Sequence, residues 1–372
     1  MSRWLILFLI LPFLIPACRD NAWKSGGKVK ASELHEDIKI PEHVWISPSR
    51  VKQLPKSGES WERLKKAAVS PVSIPDLSEQ HSDANVKILA KALYYVRTGK
   101  EEYRDEVVSA CMLVRGSQRG GRSLALGKQL MAYVIAADLV VLPTGKEQKF
   151  KSWLRDCLAY QFSSGKTLRS THEHRPNNWG TLAGASRLAA AVYLEDSAEV
   201  NRCAEVFKGW LGDRGVYSGF EYKDRSWQAD RSKPVGINPE GAEKKGHSID
   251  GVLPDDQRRG GSFRWPPPKE NYAYTALQGA VAQAVILERC GYDVWQWEDK
   301  ALLRAFRWLY EEADYPAEGN DMWMPFVINN AYEVSFPTPF PEKPGKNVAW
   351  VDWTHGNHSG IVTLTPREKD SK

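Results

Sequence analysis

Five hydrogen-bonding residues stand directly ahead of a run of small residues in the stretch STHEHRPNNWGTLAGASRLAAA, which starts at Ser170. They are His172, His174, Arg175, Asn177 and Asn178. Donors gathered at a helix N-terminus, where the macrodipole is positive, suit a carboxylate. One asparagine is accounted for as the helix N-cap, but one cap does not explain five polar groups. Pro176 disfavours helix at the residue before it, so the HEH triplet is expected on an extended segment, with a helix from about Trp179 to Leu194. Gly180, Ala183, Gly184 and Ala185 leave room for another backbone or a ligand. Read as a metal pair, HEH lacks the further ligands a site needs, so neither metal nor other cofactor is expected.

A second constellation is GHSIDGVLPDDQRRGGSFRWPPPKENYAYTAL, from Gly246 to Leu277. It holds His247, the acids Asp250, Asp255 and Asp256, the bases Arg258, Arg259 and Arg264, and Tyr272 and Tyr274. Interleaving with Phe263 and Trp265 suggests the wall of a groove rather than a solvated charge run. The chain carries 15 Trp and 14 Tyr, flat rings suited to ligands with an apolar face and polar edges, as sugars have. Trp179 and Trp265 are the first candidates to stack on such a ligand.

The elements that must position these residues are helical. Nine segments between Ser60 and Asp314 show apolar residues at three- and four-residue spacing, with almost no alternating strand pattern. Short connections make neighbours antiparallel, and no fixed-period repeat is present, so the expected fold is all-α: an (α/α) toroid, an incomplete barrel of helical hairpins. Two long stretches, 212–271 and 317–358, break the pattern and are expected to be ordered, cleft-forming loops. The toroid is expected over residues 41–360, with a polar tail over 361–372. At the start, MSRWLILFLILPFLIPAC has the layout of a secretion signal of the lipoprotein type over residues 1–17, with Cys18 as the lipidated residue and 18–40 as a tether. Such a chain is exported, periplasmic or at the cell surface, and meets the membrane only through the anchor. The remaining cysteines, Cys111, Cys157, Cys203 and Cys290, form no CxxC pair and read as buried thiols. A formal net charge of +5 favours an anionic partner, and no basic block is dense enough for nucleic acid. A monomer is expected.

NNWGTLAGASRLAAAVYLED resembles the asparagine motif of the alginate lyases, and DGVLPDDQRRGG followed by NYAYTAL resembles their second motif. With GKNVAWVDWTH near the end, the chain is most similar to the branch that cleaves polymannuronate or glucuronan, polysaccharide lyase family thirty-eight. The resemblance covers roughly residues 44–355. It implies that Asn178 and Arg259 neutralise a uronate carboxylate and that Tyr272 is the catalytic tyrosine, with Tyr274 its rival. Asn177, Arg175, Arg258 and Arg264 would assist in binding. Where family-five lyases have a histidine after the asparagines, this chain has Trp179. The histidine role then falls to His247, oriented by Glu240, with His174 second. The implied partner is a uronic-acid polymer, cut by β-elimination between C4 and C5. Two other readings compete: a glycoside hydrolase using two of Asp250, Asp255 and Asp256, and a non-catalytic glycan-binding lipoprotein.

Overall fold

The computed structural model describes residues 38–356; the signal segment, Cys18, most of the tether and the C-terminal tail lie outside the described residues. The order is α1 (Pro48–Gln53), α2 (Glu59–Val69), α3 (Ala84–Thr98), α4 (Glu101–Leu113), α5 (Ser123–Val140), α6 (Thr144–Ala159), α7 (Leu168–His174), α8 (Asn178–Tyr193) and α9 (Ser197–Leu211). After a hairpin of β1 (Glu243–Lys244) and β2 (His247–Ser248) come α10 (Pro254–Gln257), α11 (Asn271–Arg289), α12 (Trp297–Arg307), α13 (Met324–Tyr332) and α14 (Val351–Thr354).

The barrel is organised by α3, α5, α8 and α11, which pack side by side, α5 against α3 and α8, and α8 against α11. Their close approach is written in small residues. A Cβ on Gly127 would stand 2.9 Å from the backbone nitrogen of Ala183, and one on Gly279 would collide with the backbone of Thr181 and Leu182. Overpacking of this kind costs about 1–3 kcal/mol. On α8 itself, a Cβ on Gly184 would collide with Gln283 and His172 and one on Gly180 with the Arg175 carbonyl, so these two small residues admit neighbouring protein groups. Ser186 locks one contact: its hydroxyl accepts from the Met131 amide at 3.1 Å and donates to the Gly127 carbonyl at 2.9 Å. Because α5 is enclosed on nearly every side, it is apolar all round.

These four helices run the same way. The loop before α3 meets the first turns of α5, where Lys128 Nζ donates to the Gln80 carbonyl at 3.5 Å. At the other end Arg104, just after α3, donates to the Val140 carbonyl in the last turn of α5 at 3.1 Å. Gly127 lies against the start of α8 and Gly279 against Thr181, which aligns α8 and α11 with them. Four positive helix ends thus open on one face.

Two sequence expectations need correction. The HEH triplet is not extended: residues 168–174 form α7, started by a reciprocal cap in which Thr167 and Ser170 each accept the other's backbone N–H. Pro176 breaks the chain only after Arg175, leaving a full turn ahead of it. The segment 317–358 is also not all loop, since it contains α13 and α14. Its tryptophans Trp323, Trp350 and Trp353 are core residues, as is Trp227 in the other long connection. The four cysteines of the described residues are buried and unpaired.

Candidate active site

The connection from α7 to α8 is held by donors from three directions. The Trp210 indole donates to the Pro176 carbonyl at 2.8 Å, the Glu221 amide to His174 at 2.9 Å, and the Tyr217 hydroxyl to Glu173 at 2.6 Å. On this rigid corner Asn177 is the N-cap, its Oδ1 accepting from the Trp179 amide at 3.2 Å. Asn178 begins the helix proper and is spared that duty. Its own amide is capped from outside, donating to Asp256 Oδ1 at 3.0 Å. Its side-chain Oδ1 is enclosed and has no hydrogen-bond partner, and the same is true of Asp256 Oδ2. The Asn178 NH2 is not among the enclosed groups without partners.

Asp256 reaches this position through α10, whose first turn starts at Pro254. Burial pushes its carboxyl well above the usual carboxylate range; the Asn178 amide opposes this, Asp255 adds to it, and Arg259 and Arg258 oppose it. Arg258 is committed elsewhere, bound two-pronged to buried Asp255 at 2.8 and 3.2 Å. Arg259 is exposed, and its guanidinium lies 3.9 Å from the centre of the Tyr272 ring. Tyr272 sits in the first turn of α11, capped by Glu270, with 38% of its surface accessible. Buried Asn178 and Asp256 are thus joined by a hydrogen bond, exposed Arg259 and Tyr272 by a ring contact, and the Arg259 charge acts on the Asp256 carboxyl where the inner helices open.

Tyr274, two residues on, points the other way. It is 1% exposed, its hydroxyl donates to the Tyr315 carbonyl at 2.6 Å, and burial pushes its ionisation far up. That geometry removes it as the rival to Tyr272. His247 stacks flat on Trp265, ring centres 4.3 Å apart and 5° from parallel, on the β-hairpin. The described contacts thus join His247 to Trp265 rather than to the Asn178 patch. Glu240 is exposed and makes no ion pair with His247 among the described residues, and Arg264 is exposed as well. Arg175 lies over the Trp179 ring at 5.6 Å, both half-buried. His174 neighbours Lys166 at 3.5 Å and Glu221 at 4.0 Å. His172 points inward, where burial, then Arg187 and Arg202, hold it neutral. Two residues apart on a helix, His172 and His174 face different directions and cannot share a metal.

Sequence reasoning did not single out Lys128, Lys346 and Thr275. Lys346 Nζ donates to Thr275 Oγ1 at 2.7 Å, one turn beyond Tyr272 on α11. Burial lowers the pKa of Lys346, which Asp321 opposes, and that of Lys128, which Lys346 lowers further. Asp321 itself is raised by burial to about 6. Two half-buried lysines sharing one helix-end surface add positive charge beside the patch. No signal in the sequence marks Lys346, because the barrel brings it to α11 from far along the chain.

The architecture defines the class: an all-α toroid whose inner helices open on a cationic face. The family model described as alginate lyase matches residues 113–215, from the end of α4 to just beyond α9. Among solved structures, the chain is similar to alginate lyase A1-III from Sphingomonas species A1, with a TM-score of 0.55 and 13% identity, covering 89% of this chain and 99% of that one. A histidine-to-alanine form of alginate lyase A1-III complexed with a tetrasaccharide gives a TM-score of 0.57 at 13% identity, covering 90% and 100%. A tyrosine-to-phenylalanine form, also complexed with a tetrasaccharide, gives 0.55 at 13%, covering 88% and 99%. No curated protein matches. The likeness bears out the (α/α) toroid and the resemblance to the alginate lyase superfamily.

Proposed function

We propose that the protein is a polysaccharide lyase that cleaves a uronic-acid polymer, polymannuronate or glucuronan, by β-elimination. The observation that carries this reading is the pairing of Asn178 with Asp256 and of Arg259 with Tyr272, the two pairs joined by the influence of the Arg259 charge on the Asp256 carboxyl, at the face where four helix N-termini open. The proton at C5 of a uronate is barely acidic while the neighbouring carboxylate is charged. Asn178 and Arg259 would donate to that carboxylate and stabilise the charge that builds as the proton leaves, usually the largest catalytic contribution. Tyr272 would take the C5 proton as its phenolate, the C4–C5 double bond forming as the C4–O bond breaks, and then pass the proton to the departing oxygen. In mannuronate and glucuronate both groups lie on one face of the ring, so one tyrosine suffices. His247 and Trp265, stacked together, would offer a platform to a sugar in the groove.

The hydrolase reading finds its carboxylates engaged. Asp250 pairs with Arg304 and accepts from the Gly241 amide at 2.9 Å, Asp255 holds Arg258, and Asp256 caps α8. Elimination leaves a conjugated double bond that absorbs ultraviolet light. Purified protein mixed separately with polymannuronate, polyguluronate and glucuronan is expected to give rising absorbance on one of the first or last. New reducing ends without absorbance would mean hydrolysis, and binding without either would mean a glycan-binding protein. The proposal includes export and lipid attachment at Cys18, which mass spectrometry of the mature N-terminus tests.

A further inference from the structure

We propose that Asp256 is a positioning residue that carries a proton while the protein works and donates it to Asn178 Oδ1, turning the Asn178 NH2 out toward the substrate. This rests on the lyase reading for its catalytic consequence, but not for the proton itself.

The geometry makes the case. Two enclosed oxygens, Asn178 Oδ1 and Asp256 Oδ2, have no donor, and they belong to residues already joined by the 3.0 Å contact from the Asn178 amide to Asp256 Oδ1. A buried acceptor left unmet loses its hydration with nothing in return. A single proton on Asp256 Oδ2 supplies a donor where two acceptors lack one, and meets both needs at once. Asp256 is 1% exposed and Asn178 2%, so water does not readily substitute.

The charged groups around the carboxyl do not undo this. Arg258 is spent on Asp255, whose own charge disfavours a second one beside it, and Arg259 is drawn outward over Tyr272. Among the described residues, the carboxyl receives from α8 the neutral Asn178 amide and no charged group. Burial is the largest of these influences and favours the neutral form.

The proton decides which end of the Asn178 amide faces the ligand. An ionised Asp256 can only accept, and would turn the NH2 group inward, leaving an oxygen to meet a substrate carboxylate. A protonated Asp256 does the reverse and presents two N–H donors. It is thus a switch on the polarity of the carboxylate site, acting through Asn178 without touching substrate.

Infrared difference spectra between the wild type and Asp256→Asn, taken on the protein alone at neutral pH, test the proton directly. Loss of a protonated-carboxyl band in the variant is expected; loss of carboxylate bands alone overturns the proposal. In the lyase assay, Asp256→Leu, which removes the donor, is expected to lower kcat by roughly tenfold or more, the scale of one buried hydrogen bond. Asp256→Asn, whose amide can still donate, should recover most of that loss and abolish any fall in kcat that follows ionisation of Asp256 as pH rises. Failure of Asp256→Asn to recover kcat above Asp256→Leu overturns the proposal. A protonated-carboxyl band in a protein that leaves every uronan intact supports the proton on Asp256 while the functional reading fails on its own.

Discussion

The corner between α7 and α8 has two polar sides, and they are built on opposite rules. Beneath it, Arg187 is 1% exposed and donates to Glu173 at 3.0 Å and to Glu199 at 2.9 Å. Arg169 binds Glu199 at 2.7 Å, and Arg202 bridges Glu173 and Glu205 at 3.1 Å each. Charges alternate and acids meet bases. At the mouth above, the accounting is left open: two enclosed oxygens lack donors, Arg259 lies over a tyrosine ring and makes no ion pair among the described residues, and Lys346 leans on a hydroxyl. A saturated network stabilises or specifies a fold and has nothing left to offer a ligand. An unsaturated one beside solvent is where a ligand's own groups complete the set.

The largest effect expected is on the open side. Tyr272→Phe removes a hydroxyl from an exposed residue, so stability should stay within about 0.5 kcal/mol of the wild type. Lyase turnover should fall by about 10²–10⁴-fold, the usual contribution of a positioned acid–base group. Steady-state ultraviolet assays beside thermal melts check both halves. A variant of full activity would end the assignment of Tyr272 as acid–base group.

The saturated side should respond the other way round. Arg187→Leu takes from Glu173 and Glu199 one of the two arginines each holds, and is expected to cost about 1.5–3 kcal/mol in urea unfolding, with turnover per folded molecule little changed. The sign of its pH dependence follows from the acids. Burial works to raise Glu173 and Glu199, but the hydrogen bonds and charges of Arg202, Arg187 and Arg169 outweigh it, so both end below their ordinary 4.5. Their stabilisation is therefore complete above the unfolded value and drains away as pH falls through the folded one. The wild-type urea midpoint should drop as pH goes below about 4.5, more steeply than in Arg187→Leu. Equal slopes would show that Arg187 does not hold the acids down.

The contrast also explains what the sequence discloses. The helices of the barrel are legible because apolar spacing is a local signal, and the asparagine pair is legible because capping is local. The helical state of HEH is not, since a seven-residue helix rests on the Thr167–Ser170 cap and on Trp210, Tyr217 and Glu221 arriving from later in the chain. Asp256 could be noticed as an acid, but its duty depends on meeting Asn178 across 78 residues. Arg258 and Arg259 look alike in the string RRGG, and only the fold gives one to Asp255 and the other to Tyr272.

The smallest effect expected separates the two tyrosines of NYAYTAL. Helical geometry turns Tyr274 about 200° from Tyr272 around α11, which puts one ring at the mouth and the other in the core. Tyr274→Phe loses only the hydrogen bond to the Tyr315 carbonyl, so it should cost about 1 kcal/mol of stability. The orphaned carbonyl lies on the segment after α12 and is not hydrogen-bonded to Asn178 or Arg259 among the described residues, so kcat and KM should hold. A loss of turnover in Tyr274→Phe comparable to that in Tyr272→Phe would mean that the helix presents a different face to the substrate than the one described. Retained turnover with a lowered melting temperature would place the two tyrosines on the two sides of the comparison, one left open for chemistry and one closed for the fold.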